Sequence, residues 1–304
     1  MRRVHVGAIS LAVVAAMAVG AVGVDAADPP TCDGQPATVV GTPGDDRIDL
    51  TSNARQVVVG LGGDDDIRTR SGNDIVCAGS GDDYVFTGGG FDRVFAADGN
   101  DEVLFSEFIR GGEGDDTLGG SNSADDLDGE GGNDRLFGGW GNDRLVGGTG
   151  NDALYPGNTG LDVSDGGPGD DLIWALYPAY GRTSELIGGE GNDTLRGGGA
   201  AFIVDAGPGD DVVETGGGRD SIDAGSGDDT VDAGPGLDMI HGNSGRDLVN
   251  ANKGNDKVFG DEDDDNLSGY QGDDALDGGT GVDRCAGNSG TDTATACEST
   301  LDVP

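Results

Sequence analysis

Residues 138–146 read Gly138-Gly139-Trp140-Gly141-Asn142-Asp143-Arg144-Leu145-Val146, and the nine residues on either side repeat the same order of types except for Glu130 at the second place. Numbered from Gly138, the unit has Gly at positions one, two and four, Asp at six and an aliphatic residue at eight. Followed outward, units start at residue 41; at 60, 69, 78, 87 and 96; at 111, 120, 129, 138 and 147; at 157 and 166; and every nine residues from 188 to 287. Of these 25 units, 24 have Asp at position six, the exception being Phe202. Position four is Gly except at Ser123, Ala200 and Asp263, and position eight is Val, Ile or Leu except at Ser164, Cys285 and Ala294. Compositional drift does not hold three positions in phase over such a length. The chain is a tandem array whose units bury their apolar face only by stacking.

The repeat rescues a composition that otherwise points to disorder. Among 304 residues there are 62 Gly, and 58 acidic side chains face 17 basic ones, for a formal charge of −41. With 34% apolar and 5% aromatic residues, such a chain buries too little surface to offset its lost entropy unless a polyvalent cation neutralises the acid. The charge argues against nucleic acid and anionic lipid as direct partners, because both are repelled.

The unit itself suggests how it folds. Gly at positions one, two and four lets the backbone turn with positive φ and expose carbonyls. The x-U-x triplet that follows, where U is the aliphatic residue, alternates inward and outward as a strand does. Stacked units then form two parallel sheets with the aliphatic residues between them, in a thin double row such as Leu118, Leu127, Leu136, Leu145 and Leu154. One aliphatic residue per nine is little burial, so the turns need another source of cohesion. Asp carboxylates and loop carbonyls are hard oxygen donors of the kind Ca2+ selects.

These nonapeptides resemble the RTX, or hemolysin-type, calcium-binding repeat family, from residue 41 to about 295. The resemblance implies an all-β, right-handed parallel β-roll with two nonapeptides per turn and short capping segments. It also implies Ca2+ between loops on one edge, held by sixth-position Asp residues 18 apart and by loop carbonyls. Carried onto this chain, one edge of the C-terminal array stacks Asp193, Asp211, Asp229, Asp247, Asp265 and Asp283, and the other Asp220, Asp238, Asp256, Asp274 and Asp292. In the earlier arrays the columns are Asp65, Asp83 and Asp101 with Asp74 and Asp92, then Asp116, Asp134 and Asp152 with Asp125 and Asp143. Asp46, Asp162 and Asp171 complete the candidate ligands. About one ion per loop pair gives ~20 Ca2+, enough to offset the formal charge. Fifth-position acids such as Asp82, Asp115 and Asp228 are expected to be solvated.

The period predicts an N-terminal cap over 27–40, β-roll arrays over 41–187 and 188–295, and a C-terminal cap over 296–304. The stretches 50–59, 105–110 and 175–187 do not fit it and are expected to bulge or bend the roll. Ahead of them, Arg2 and Arg3, the apolar run Ala8–Val19 and the small residues around Val24-Asp25-Ala26 read as an export signal over 1–26. No stretch is long enough for a membrane span. An exported chain suits two disulfides, and position favours Cys32–Cys77 and Cys285–Cys297 over the other pairings. An N-terminal signal departs from toxin-type and protease-type RTX chains and points to an actinobacterial-type source.

No catalytic centre is legible. The histidines are His5 and His241, HExxH and GxSxG are both absent, and the repeats leave no room for a catalytic domain. An ice-binding row would need Thr at position three, which occurs only at Thr149, Thr159 and Thr280. The expected role is a secreted, calcium-dependent structural or interaction scaffold at the cell surface or in the extracellular matrix. Its candidate partner is a cell-wall glycan or surface protein, and the alternative is a polysaccharide-directed module or enzyme. A column of Phe137, Tyr155 and Trp174 at position nine is expected to form an aromatic strip on one outer face, unless the 175–187 insert covers it.

Overall fold

Each triplet after a sixth-position residue forms a strand, and successive strands go to opposite sheets, because the glycine loop between them reverses the chain. The result, in a computed structural model, is two parallel sheets of 15 strands each, faced across a double row of aliphatic residues, one row from each sheet. The structure describes residues 29–175 and 183–302; the expected export signal and residues 176–182 lie outside it. Among the described residues there is no helix, and none long and apolar enough to cross a membrane. Register follows the repeat: Leu118, Leu136 and Leu154 are successive neighbours in one sheet, and Leu127 pairs with Leu145 in the other. All five are fully buried, as is Phe202.

The two sheets run unbroken through the irregular stretches. Residues 105–110, expected to bulge from or bend the roll, form a shortened unit within it. Phe108–Glu113 is a strand, and Ile109 sits in the core between Val94 and Leu127. The reason is that Glu107-Phe108-Ile109 keeps the spacing of the acid-x-aliphatic triplet, while Phe105, at φ 65°, makes the turn the missing glycines would have made. The 175–187 stretch rejoins the period by Thr183–Glu190, whose Leu186 stacks between Ser164 and Val204. Within 50–59, Val57–Gly62 is already a strand with Val58 in the core.

Both expected disulfides are formed. They do different work. Cys285 occupies a core position and its bond to Cys297 closes the last turns. The N-terminal hairpin, Thr31–Cys32 against Gln35–Pro36, lies on the outer face of the first strands, with Cys32 packed against Val57, Val59 and Ile75. Cys32–Cys77 is therefore a lateral clasp on the sheet rather than a lid over its end.

On the opposite outer face, Phe137 stacks on Tyr155 at 5.0 Å and 7°, and Tyr155 meets Trp174 at 6.4 Å and 41°. Phe137 and Trp174 are exposed and Tyr155 is half-buried. Rings stacked along the roll axis cover one another's faces and turn edges outward, so this strip is chiefly a packed ladder.

With so thin a core, single deletions should be felt. Leu145→Ala is expected to cost about 2–4 kcal/mol of stability in the calcium-loaded protein, while Leu161→Ala, at an exposed loop position, changes it by less than about 0.5 kcal/mol. Denaturant titration at fixed Ca2+ checks both, and equal effects would contradict the core assignment.

Candidate metal centre

The loop of the unit at 138–146 shows why these residue types recur. Gly139 and Gly141 take φ of 97° and 150°, and a side chain at Gly141 would collide with the carbonyl of Ser123 one turn below. Gly138 has no positive φ. Its requirement is room, since a Cβ there would lie 2.5 Å from Pro156 O and 2.8 Å from Asp143 Oδ2. The expectation of positive φ at all three glycines therefore holds for positions two and four in most units and at position one only for Gly157, and position one accepts Ala78, Ala96 or Thr69. Position two keeps the left-handed backbone without glycine: Leu61, Ala97, Glu130, Asn243, Asn252, Asp261, Tyr270 and Asn288 have φ between 66° and 92°. Such conformations cost a non-glycine residue roughly 1–2 kcal/mol, so the stack imposes them.

Sixth-position side chains point into the loops and form two columns. In the first, the Oδ1 of each residue accepts the backbone N–H of the sixth residue one turn earlier, at 2.7–2.9 Å. This runs without a break from Asp46 through Asp65, Asp83, Asp101, Asp116, Asp134 and Asp152. It continues through Asp171, Asp193, Asp211, Asp229, Asp247 and Asp265 to Asp283, whose own N–H goes to Glu298 Oε2. The array boundaries read from the sequence are not boundaries here. Turns of 15, 19 or 22 residues replace the usual 18 without breaking the column.

The second column is interrupted. Gln56, Asp74 and Asp92 lead to Glu107, and Asp125 and Asp143 lead to Asp162. Asp162 then donates to the Ser184 hydroxyl, and Phe202 N–H goes to Asp220, from which Asp238, Asp256, Asp274 and Asp292 follow. The acid-free stretch is thus two units long, Ser184 and Phe202, and the Phe202 ring fills the space beside Gly197 and Thr215. Glu107 and Glu298 were not among the sequence candidates. The Glu107-x-Ile109 spacing was the signal that could have found Glu107.

A second ladder runs beside the first. Fifth-position side chains are exposed, as expected, yet they are not merely solvated. Asp64, Asp82, Asn100, Asp115 and Asn133 each accept, through Oδ1, the N–H of the fifth residue one turn later. The two ladders run in opposite directions and tie each loop to both its neighbours.

Of the 24 sixth-position Asp residues, all but Asp46 are at most 4% exposed. In 21 of them Oδ2 is buried with no hydrogen-bond partner, the exceptions being Asp46, Asp125 and Asp162. Among the described residues no three His, Cys, Asp or Glu side chains converge into a cage. The donor set on offer is a carboxylate per turn beside loop carbonyls such as Pro156 O. A buried ionised oxygen without a partner is strongly unfavourable, and a hard cation sharing it with carbonyls removes that penalty. The residues present fit Ca2+.

Burial, and then the neighbouring carboxylates, push these acids up: Asp116 and Asp229 to about 8, Asp134 and Asp143 to about 7, Asp83 and Asp193 to about 6. Hydrogen bonds from the column amides pull the other way without prevailing.

Residues 50–85, 78–107, 104–136, 119–154, 156–176, 184–201, 205–240, 232–267 and 259–294 match the RTX calcium-binding nonapeptide repeat. The chain belongs to that family. Among solved structures it is similar to a hyperactive, Ca2+-dependent, β-helical antifreeze protein from an Antarctic bacterium, at 23% identity over 83% of each chain with a TM-score of 0.41. No curated protein matches it.

Two outcomes test these columns. A carboxyl whose pKa is raised on folding favours the folded state below that pKa and opposes it above, so the metal-free roll should lose stability as pH rises from about 4 to about 8. Circular dichroism in chelator should show more β signal at pH 5 than at pH 8; the reverse would show that burial does not govern these acids. Phe202→Asp should restore an acid to the interrupted column, and calorimetry should then count at least one more Ca2+ per chain than the parent. An unchanged count would mean that the gap is not a missing ligand.

Proposed function

We propose that this RTX-repeat protein is an exported, non-enzymatic scaffold that Ca2+ folds into a straight rod, acting at the cell surface or in the extracellular matrix. The observation that carries the reading is the pair of columns of buried Oδ2 atoms without hydrogen-bond partners. In the calcium-loaded state Asp65 to Asp283 on one edge, and Asp74 to Asp292 on the other, hold the ions with loop carbonyls of adjacent turns. The ions supply the charge neutralisation that lets acids stack one turn, ~4.8 Å, apart. The two disulfides support export, since such bonds persist in oxidising compartments. A rod with two long faces and a patterned exterior suits attachment to a cell-wall glycan or a surface protein. Ice binding belongs to the antifreeze protein named above. Position three here carries Thr only at Thr149, Thr159 and Thr280, which leaves no regular row for it.

Folding should follow Ca2+. In chelator at pH 7.5 the far-ultraviolet spectrum should be that of a disordered chain, and millimolar Ca2+ should restore a β spectrum, the range typical of extracellular modules. A chelated protein that is already fully β and resists heating would overturn the proposal.

A further inference from the structure

Among the described residues the outer surface carries several concavities, and one of them lies near the N-terminal end. There Asn53, in the loop of residues 50–55, borders an open groove of about 530 Å3 on the outer face. Its walls include Arg68, Arg70, Tyr84 and Phe86, with Asn53 from the loop and Asp49, the strand neighbour of Arg68 one turn earlier. This gathers two guanidinium groups and two aromatic rings in a chain whose acidic residues outnumber its basic ones 58 to 17.

The two arginines are oriented by bonds at one edge only. Arg68 Nε donates to Asp66 Oδ1 at 2.7 Å and its guanidinium lies 5.1 Å from the Tyr84 ring centroid. Arg70 Nε donates to the Leu50 carbonyl at 3.0 Å, and among the described residues Arg70 makes no ion pair. Both Nη groups of Arg70 are thus left for an acceptor, and a planar fork of donors suits a carboxylate. Phe86 is held by a tilted contact with Phe105, at 5.2 Å and 58°, rather than by the parallel stacking that closes the Phe137–Tyr155 ladder. Aromatic surface beside hydrogen-bonding groups matches a sugar ring, which has one apolar face and a rim of hydroxyls. Asp49 and Asn53 can take those hydroxyls. Asp49 and the charge of the whole chain disfavour a densely anionic ligand, so one carboxylate per site is the fitting charge.

We propose that this pocket binds a saccharide carrying a carboxylate, a hexuronate unit of a glycan, with Arg70 on the carboxylate and Tyr84 and Phe86 against the ring. The proposal names a partner for the scaffold above and rests on that reading for the folded state. None of the pocket residues belongs to the sixth-position columns.

The test is calorimetric titration of the full, calcium-saturated chain with digalacturonate, with neutral galactobiose and with inorganic phosphate. A circular dichroism spectrum taken first shows whether the roll is folded; a disordered spectrum in Ca2+ counts against the scaffold reading, not against the pocket. On folded protein, digalacturonate should bind at least about tenfold more tightly than galactobiose or phosphate, and Arg70→Gln should remove about tenfold of that affinity. Arg68→Gln should weaken it less, and the double variant Tyr155→Ser with Trp174→Ser should leave it unchanged. Equal binding of galactobiose would remove the role of the guanidinium, and equal binding of phosphate the role of the ring. Digalacturonate binding that survives Arg68→Gln with Arg70→Gln would place the anion on Ca2+ instead. Each of these results, or no binding to folded protein, overturns the proposal.

Discussion

A carboxylate oxygen sealed from water with nothing to bond to is the constraint on which the rest of this protein depends. Twenty-one aspartates meet it in the same way, with Oδ1 spent on an amide of the adjacent turn and Oδ2 left over. Neither the thin aliphatic row nor the strand ladders compensate for that many desolvated charges. Without a partner for these oxygens the stacked carboxylates work against the roll. The proposed cation resolves the conflict at its source, because it bonds the surplus oxygen and neutralises the column together. Metal binding and folding then become one event.

The loop backbone is subordinate to the same constraint. Aiming a short Asp side chain inward while bringing carbonyls of adjacent turns toward it goes, in most units, with left-handed backbone at positions two and four. Glycine adopts that backbone freely. Tyr270, Glu130 and Leu61 adopt it at a cost, held there by the turns above and below. The fifth-position ladder reinforces the geometry from outside the loop. It runs opposite to the inner one, so each loop both donates to and accepts from each neighbour.

The two edges are unequal in a way that composition hides. One column is continuous from Asp46 to Glu298, whereas the other lacks acid at Ser184 and Phe202. At the gap, apolar burial by Phe202 takes over from electrostatics. The gap falls beside the 175–187 stretch, where the turn lengthens to 22 residues. Changes in turn length are tolerated because they pass through both columns together, and the register of the next turn is set again by its own Asp and aliphatic pair.

From sequence alone, the period of nine determined the parallel two-sheet roll, the buried row of aliphatic residues and the inward Asp columns. Each depends on a residue type recurring at a fixed spacing, which one chain displays directly. The disulfide pairing was legible from position for a related reason, since a solenoid keeps sequence neighbours close. What only the tertiary structure decided involves contacts between units whose spacing is irregular. The place of Glu107 in a column, the continuity of both sheets through 105–110, and the hairpin clasped to a face instead of an end are of this kind. So is the pocket around Arg70, whose walls come from a non-repeating loop and three successive turns. A period can state what every unit does alike; where a unit departs from it, the outcome is set by what the adjacent turns leave room for.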